Sequence, residues 1–142
     1  MFKVYLSILC TLFSFNSYAD NDRIIMTVQE SSDQLLLKIQ SLPSERLKFA
    51  ISGESLSISS TGKKKPRHDD LANQGVAITA GYIQFNLNEV GKISTVTLDN
   101  YSGRLCPAYE SLVSVFHFLK PALEVDTQFI MINKPNLEKC SN

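Results

Sequence analysis

The stretch "LDNYSGRLCPAYESL", residues 98–112, changes character at its middle. Its first residues finish an alternating strand, Asn100 and Ser102-Gly103 carry turn chemistry, and Pro107 opens an apolar run. Proline suits a first helical position, because the amide it lacks would find no intrahelical acceptor there. Beyond it Tyr109, Leu112, Val113, Phe116 and Leu119 keep the i, i+3, i+4, i+7, i+10 spacing of one buried helix face. Val115 and Phe118 widen that face, Glu110, Ser114 and His117 form a wet stripe, and Pro121 stops the helix. A strand that feeds a helix through one corner makes the fold mixed.

Upstream of the corner the pattern is that of strands. "RIIMTV" (23–28) and "QLLLKI" (34–39) read as two strands separated by a polar turn, with Leu35, Leu37 and Ile39 on one face. "KFAISGESLSIS" (48–59) is a hairpin about Ser52-Gly53-Glu54. "VAITAGYIQFNL" (76–87) switches phase: Val76, Ile78 and Ala80 are even, Ile83, Phe85 and Leu87 odd. A one-place slip moves every side chain to the other face, so a bulge or bend is expected at Gly81. "NEVGK" (88–92) turns the chain into "ISTVTL" (93–98), and "TQFIMI" (127–132), apolar on both faces, reads as a last, covered strand. The expected class is α+β: an antiparallel sheet of about six strands with one main C-terminal helix packed on one face.

The N-terminus has the order of an export signal: Lys3, an uncharged apolar run from Val4 to Phe15, and small residues ending in Ala19. The run is shorter than the about 20 apolar residues that span a bilayer. The organisation expected is therefore a signal peptide, 1–19, and one exported domain, 20–142, periplasmic or secreted, with no transmembrane segment after cleavage. Removing the leader takes Lys3 and no acid, so 14 bases become 13 against 14 acids, a net of −1. Such a balance gives no general attraction to nucleic acid or anionic membrane. Cys10 leaves with the leader, and Cys106 and Cys140 remain as an even pair for one disulfide in an oxidising compartment. Such a bridge would contribute about 3–4 kcal/mol by the chain-entropy estimate.

The order of motifs also resembles a domain found in the C-terminal part of plant IQ-motif calmodulin-binding proteins and in assorted bacterial secreted or effector-like proteins. The stretches that carry the resemblance are Ser52-Gly53-Glu54, His68-Asp69-Asp70-Leu71, Ala80-Gly81, Gly91, and Asn100-Tyr101-Ser102-Gly103-Arg104-Leu105-Cys106-Pro107. The family's S-G-H-Y-x-P corner has Arg104-Leu105 here in place of His-Tyr, and its Ser-Ser is replaced by Asp69-Asp70. The resemblance implies a fold and a focus on this corner. The calmodulin-binding helix lies outside the shared region, so calmodulin is not an expected partner.

Two readings of the corner stand side by side. In the structural one, Asn100 and Gly103 accept left-handed backbone, Ser102 bonds a neighbouring amide, and Cys106 carries the staple. In the functional one, free helix amides and Arg104 attract a carboxylate or phosphate. The run "KKKPRH" (63–68) is the densest positive patch, but it has no interleaved aromatics and Asp69-Asp70 follow it, so nucleic acid is not expected. His68-Asp69-Asp70 and His117 offer no metal-ligand spacing, and no nucleophile, phosphate-loop or zinc-protease motif is present. No cofactor is implied. The expectation is a small non-catalytic binding or interaction domain that meets an unknown protein or anionic ligand through His68, Asp70, Ser102, Gly103 and Arg104. The alternative is a small secreted enzyme or toxin-like effector acting on an anionic, nucleotide-like substrate.

Overall fold

The computed structural model describes residues 23–59, 66–72 and 76–140. The expected leader, residues 1–19, and Lys63–Lys65 lie outside the described residues. Among the described residues, six strands form one sheet in the order β1-β3-β2-β4-β5-β6. They are β1 Arg23–Thr27, β2 Leu47–Ser52, β3 Ser55–Ser59, β4 Ala77–Leu87, β5 Ile93–Asp99 and β6 Gln128–Ile132. The first four pairings are antiparallel, but β5 and β6 run parallel, so the sheet is mixed. The reason is local: the corner sends the chain across the sheet through a helix, and a crossover of that kind returns a strand parallel to the one it left.

"QLLLKI" is not a strand. It lies in α1, Ser32–Gln40, which buries Leu35 and Ile39 and leaves Leu37 exposed. Three successive leucines fit either period; the cap decides between them. The Ser31 side chain accepts the Gln34 amide at 3.3 Å, and the Gln34 side chain accepts the Ser31 amide at 3.0 Å. This reciprocal pair satisfies two helix-end donors, and its S-x-x-Q spacing was present in the sequence.

The main C-terminal helix starts later than Pro107. Ala108 is extended, a 3-10 turn covers Tyr109–Leu112, and α3 proper is Val113–Leu119, followed by a second 3-10 turn, Lys120–Ala122, that contains Pro121. Its buried line is Leu112, Val115 and Leu119, all fully enclosed, while Tyr109 and Val113 are exposed. With α1 it covers one sheet face, where Met26, Phe49, Ile58, Ile83, Val96 and Leu98 form the dry core.

The opposite face is covered only in part. There a one-turn helix, α2 His68–Leu71, sets Leu71 and Ala72 against Ala50 and Ala80 in a second, small apolar cluster. This explains the phase switch in β4: Ala80 serves one face and Ile83 and Phe85 the other, without a bulge at Gly81. Gly81 pairs in register with Phe49, and the irregularities fall at Ile78 and at the β4–β5 turn. A Cβ on Gly81 would sit 1.8 Å from the Asp99 carbonyl oxygen, so glycine is needed for close backbone approach. Likewise β6 is an edge strand, with Ile130 and Ile132 exposed rather than covered.

Candidate functional site

The corner and α2 meet over the β2–β4–β5 end of the open face, and between them lies an open pocket of about 300 Å³. Lys48 and Tyr82, a cross-strand pair, form its floor. Arg67, His68 and Asp69 come from α2 and its approach, and Tyr101–Arg104 from the corner. Asn136 and Lys139 come from the C-terminal tail.

The tail is there because of the disulfide. Cys106 and Cys140 are bonded, with Cα atoms 5.5 Å apart across a separation of 34 residues. The bridge fastens a final one-turn helix, α4 Leu137–Cys140, beside the corner. Gly103 makes room for it: a Cβ there would stand 3.2 Å from Asn136 Nδ2 and 3.2 Å from Lys139 Cδ. Gly103 is therefore used for space and not for left-handed backbone. The left-handed residue of the corner is Cys106, with φ 41°. Asn100 is also not a turn residue in that sense but a buried clip. Its Oδ1 accepts the Lys134 amide at 2.7 Å, and its Nδ2 donates to Asn133 Oδ1 at 3.3 Å and to the Pro107 carbonyl at 3.2 Å.

His68 is buried at the start of α2, not displayed on an extended loop. Its Nε2 stands 2.8 Å from the Gly81 carbonyl oxygen. A carbonyl only accepts, so Nε2 carries the proton and donates. The ring meets Tyr82 edge-on, with centroids 5.4 Å apart. Burial pushes the imidazole below its usual 6.5, assisted by Lys48 and opposed by the Gly81 bond and by Asp99 and Asp69. The histidine is thus neutral at pH 7 and fastens α2 to the sheet.

The two aspartates after it part company. Asp69 lines the pocket and accepts from Arg104 at 3.4 Å. Asp70 faces elsewhere: its carboxylate accepts the Arg67 amide at 2.9 Å, and its carbonyl accepts from Arg23 at 3.2 Å. Asp70 is a helix cap, and its place in the expected site is corrected accordingly. Ser102 is enclosed, and its Oγ has no partner among the described residues. Of the five residues expected to form the site, His68, Ser102, Gly103 and Arg104 do converge here.

Beneath them is a neutralised layer. Asp99, almost fully buried, accepts from the Tyr82 and Tyr101 amides at 3.2 and 3.0 Å and from Arg46 at 2.8 Å. Arg46 in turn lies 3.7 Å over the Tyr82 ring. Both carboxylate oxygens are thereby used, so Asp99 fixes the floor and does not face a ligand. Among the described residues, the surface left for a ligand carries four cations, Lys48, Arg67, Arg104 and Lys139, against one carboxylate, Asp69. Lys48 donates to the Pro66 carbonyl at 3.1 Å, and the Arg67–Asp70 and Arg104–Asp69 pairs are long and solvent-facing, at 3.7 and 3.4 Å. Exposed pairs of that kind hold their partners weakly and give way readily.

Sequence reasoning missed Lys48, Tyr82, Asn136 and Lys139. Lys48 and Tyr82 were detectable as the polar-face positions of strands β2 and β4. Nothing local marked Asn136 or Lys139; only the cysteine pairing pointed at the tail. Among the described residues no three His, Cys, Asp or Glu side chains converge as metal ligands would, and no helix is long and apolar enough to cross a membrane. No family model, curated protein or solved structure matches this chain.

Proposed function

We propose that this protein is a small exported binding domain that captures an anionic group, a phosphate or a carboxylate, in the pocket between α2 and the corner. The observation that carries the reading is the charge of that surface: among the described residues, four basic side chains and a single acid line the open pocket. On a chain whose bases and acids balance overall, such local excess focuses a positive potential where general attraction is absent. Export is supported by the order of the leader, and the Cys106–Cys140 bridge fits an oxidising compartment. The corner of the resembled family guides the choice of surface and contributes no reaction.

Binding is favoured over catalysis by how the carboxylates beside His68 are used. Asp70 is turned away to cap α2, Asp99 has both oxygens engaged in the floor, and Asp69 pairs with Arg104. None of these carboxylates is hydrogen-bonded to His68, whose Nε2 fastens α2 to the Gly81 carbonyl, so no coupled acid–base pair is assembled.

Inorganic pyrophosphate is a suitable probe, being compact and multiply charged. Calorimetric titration at low salt is expected to show saturable binding that weakens as ionic strength rises. Arg104→Ala is expected to weaken it about tenfold, as for loss of one charge-assisted contact, while folding stability changes by less than about 0.5 kcal/mol. Phosphorus NMR should recover the probe unhydrolysed. Unchanged affinity in Arg104→Ala would reject this surface, and turnover of the probe would favour the enzyme.

A further inference from the structure

We propose that the Cys106–Cys140 disulfide is a switch on the anion pocket: oxidised, it holds Lys139 and Asn136 in the pocket wall, and reduction by a dithiol releases that wall and weakens capture. The inference rests on the anion-binding reading of the same pocket.

Little besides the disulfide holds α4. The helix has four residues, too few to be stable alone, and it buries none of their side chains. Its internal bonds run from the Lys139 and Cys140 amides to the Asn136 carbonyl, so they stabilise the turn without attaching it to the sheet. Attachment comes from two sources. One is packing on Gly103 by the Asn136 side chain and the Lys139 stem; the other is the covalent bond. Ordering six residues from Pro135 to Cys140 costs backbone entropy that one buried amide does not offset. The bond supplies the constraint.

The segment before it is anchored separately. Asn100 accepts the Lys134 amide and donates to Asn133, and β6 is fixed by its parallel pairing with β5. Release is therefore confined to the chain after Lys134, and the core face does not depend on it. What leaves is one of the pocket's four cations and its buried amide.

The bond is also open to attack at one end. Cys106 is exposed, whereas Cys140 is half-buried. A dithiol's thiolate attacks Cys106 Sγ and breaks the S–S bond, with Cys140 as the leaving thiolate. The reductant's second thiol then attacks the mixed disulfide, freeing Cys106. Two electrons and two protons pass to the protein, giving two thiols, and the reductant ends as its own disulfide.

The test compares the oxidised protein, the protein reduced with dithiothreitol, and the double variant Cys106→Ser/Cys140→Ser, each titrated with inorganic pyrophosphate. Hydrogen exchange is followed on the same three samples. The switch predicts about tenfold weaker binding in the reduced and double-serine forms. It predicts faster exchange at the Lys139 and Cys140 amides, by a larger factor than at the sheet amides, which follow only the change in global stability. Lys139→Ala in the oxidised state should weaken binding by a similar factor, and reducing that variant should add little. Equal affinity in oxidised and reduced protein overturns the switch and leaves the pocket reading standing. Absence of binding in the oxidised protein overturns the pocket reading and the switch with it. A loss of protection no larger in the tail than in the sheet also overturns the switch, since the bond would then serve global stability alone.

Discussion

The two faces of the sheet are built on opposite principles. The core face is dry, with α1 and α3 laying Leu35, Ile39, Leu112, Val115 and Leu119 over aliphatic and aromatic strand residues. The open face has one turn of helix, a four-residue apolar cluster and a basic pocket. Stability comes from the first because apolar area removed from water stabilises at about 25 cal/mol per Å². The proposed recognition is assigned to the second because its cations Arg67 and Arg104 keep only long, solvent-facing partners. The difference teaches where to look in a small domain: the face its helices leave uncovered, at the point where a connection crosses it.

The sharpest way to break this division is to truncate the core. Phe49→Ala, at a position with no exposed surface, is expected to cost about 3–5 kcal/mol in chemical denaturation. Under native conditions where the variant remains folded, its pyrophosphate affinity should match that of the parent. If affinity falls in proportion, the faces are not independent. Gly81→Ala attacks the seam between them. Its methyl would collide with the Asp99 backbone at 1.8 Å, so β4 and β5 must shift; a loss of about 1–3 kcal/mol is expected, together with weakened binding, because Asp99 also fixes the pocket floor. A variant of parental stability would mean that the seam relaxes freely.

The smallest effect is set on the open face by His68. Its folded pKa lies below 6.5, so as pH falls beneath that value the unfolded chain takes the proton before the folded one does. Stability is therefore full above pH 6.5 and declines as the solution is acidified toward the folded pKa. Denaturant midpoints measured between pH 7.5 and 5.5 should show the fall. His68→Leu should flatten that part of the profile and cost about 0.5–1.5 kcal/mol at neutral pH for the lost Gly81 bond. An unchanged acid slope in the variant would show that another group is responsible.

Several parts of the molecule were legible in its residues. The hairpin at Gly53, with φ 57°, follows from "SGE" between alternating apolar runs. The Cys106–Cys140 pairing follows from the cysteine count once the leader is set aside. The sequence places His68 and Arg104 on a shared surface, and the structure sets both at the pocket; Asp70 lies away from it because adjacency in sequence does not fix direction on a one-turn helix. "QLLLKI" was misread because leucine repeats satisfy two periods at once, and the deciding signal, the Ser31–Gln34 cap, lies outside the apolar run.

By itself, then, the sequence determined the ingredients: a mixed fold with a strand-to-helix corner, one staple, and a positive patch in a balanced chain. Only the tertiary structure decided that β6 lies parallel at an edge, that His68 is a buried donor to Gly81, and that Lys139 belongs to the pocket. The physical reason is range. Periodicity, capping and turn chemistry act over a few residues and leave a local trace, whereas a pocket wall brought from 33 positions past Cys106 owes its place to packing and a covalent tie that no neighbouring residue encodes.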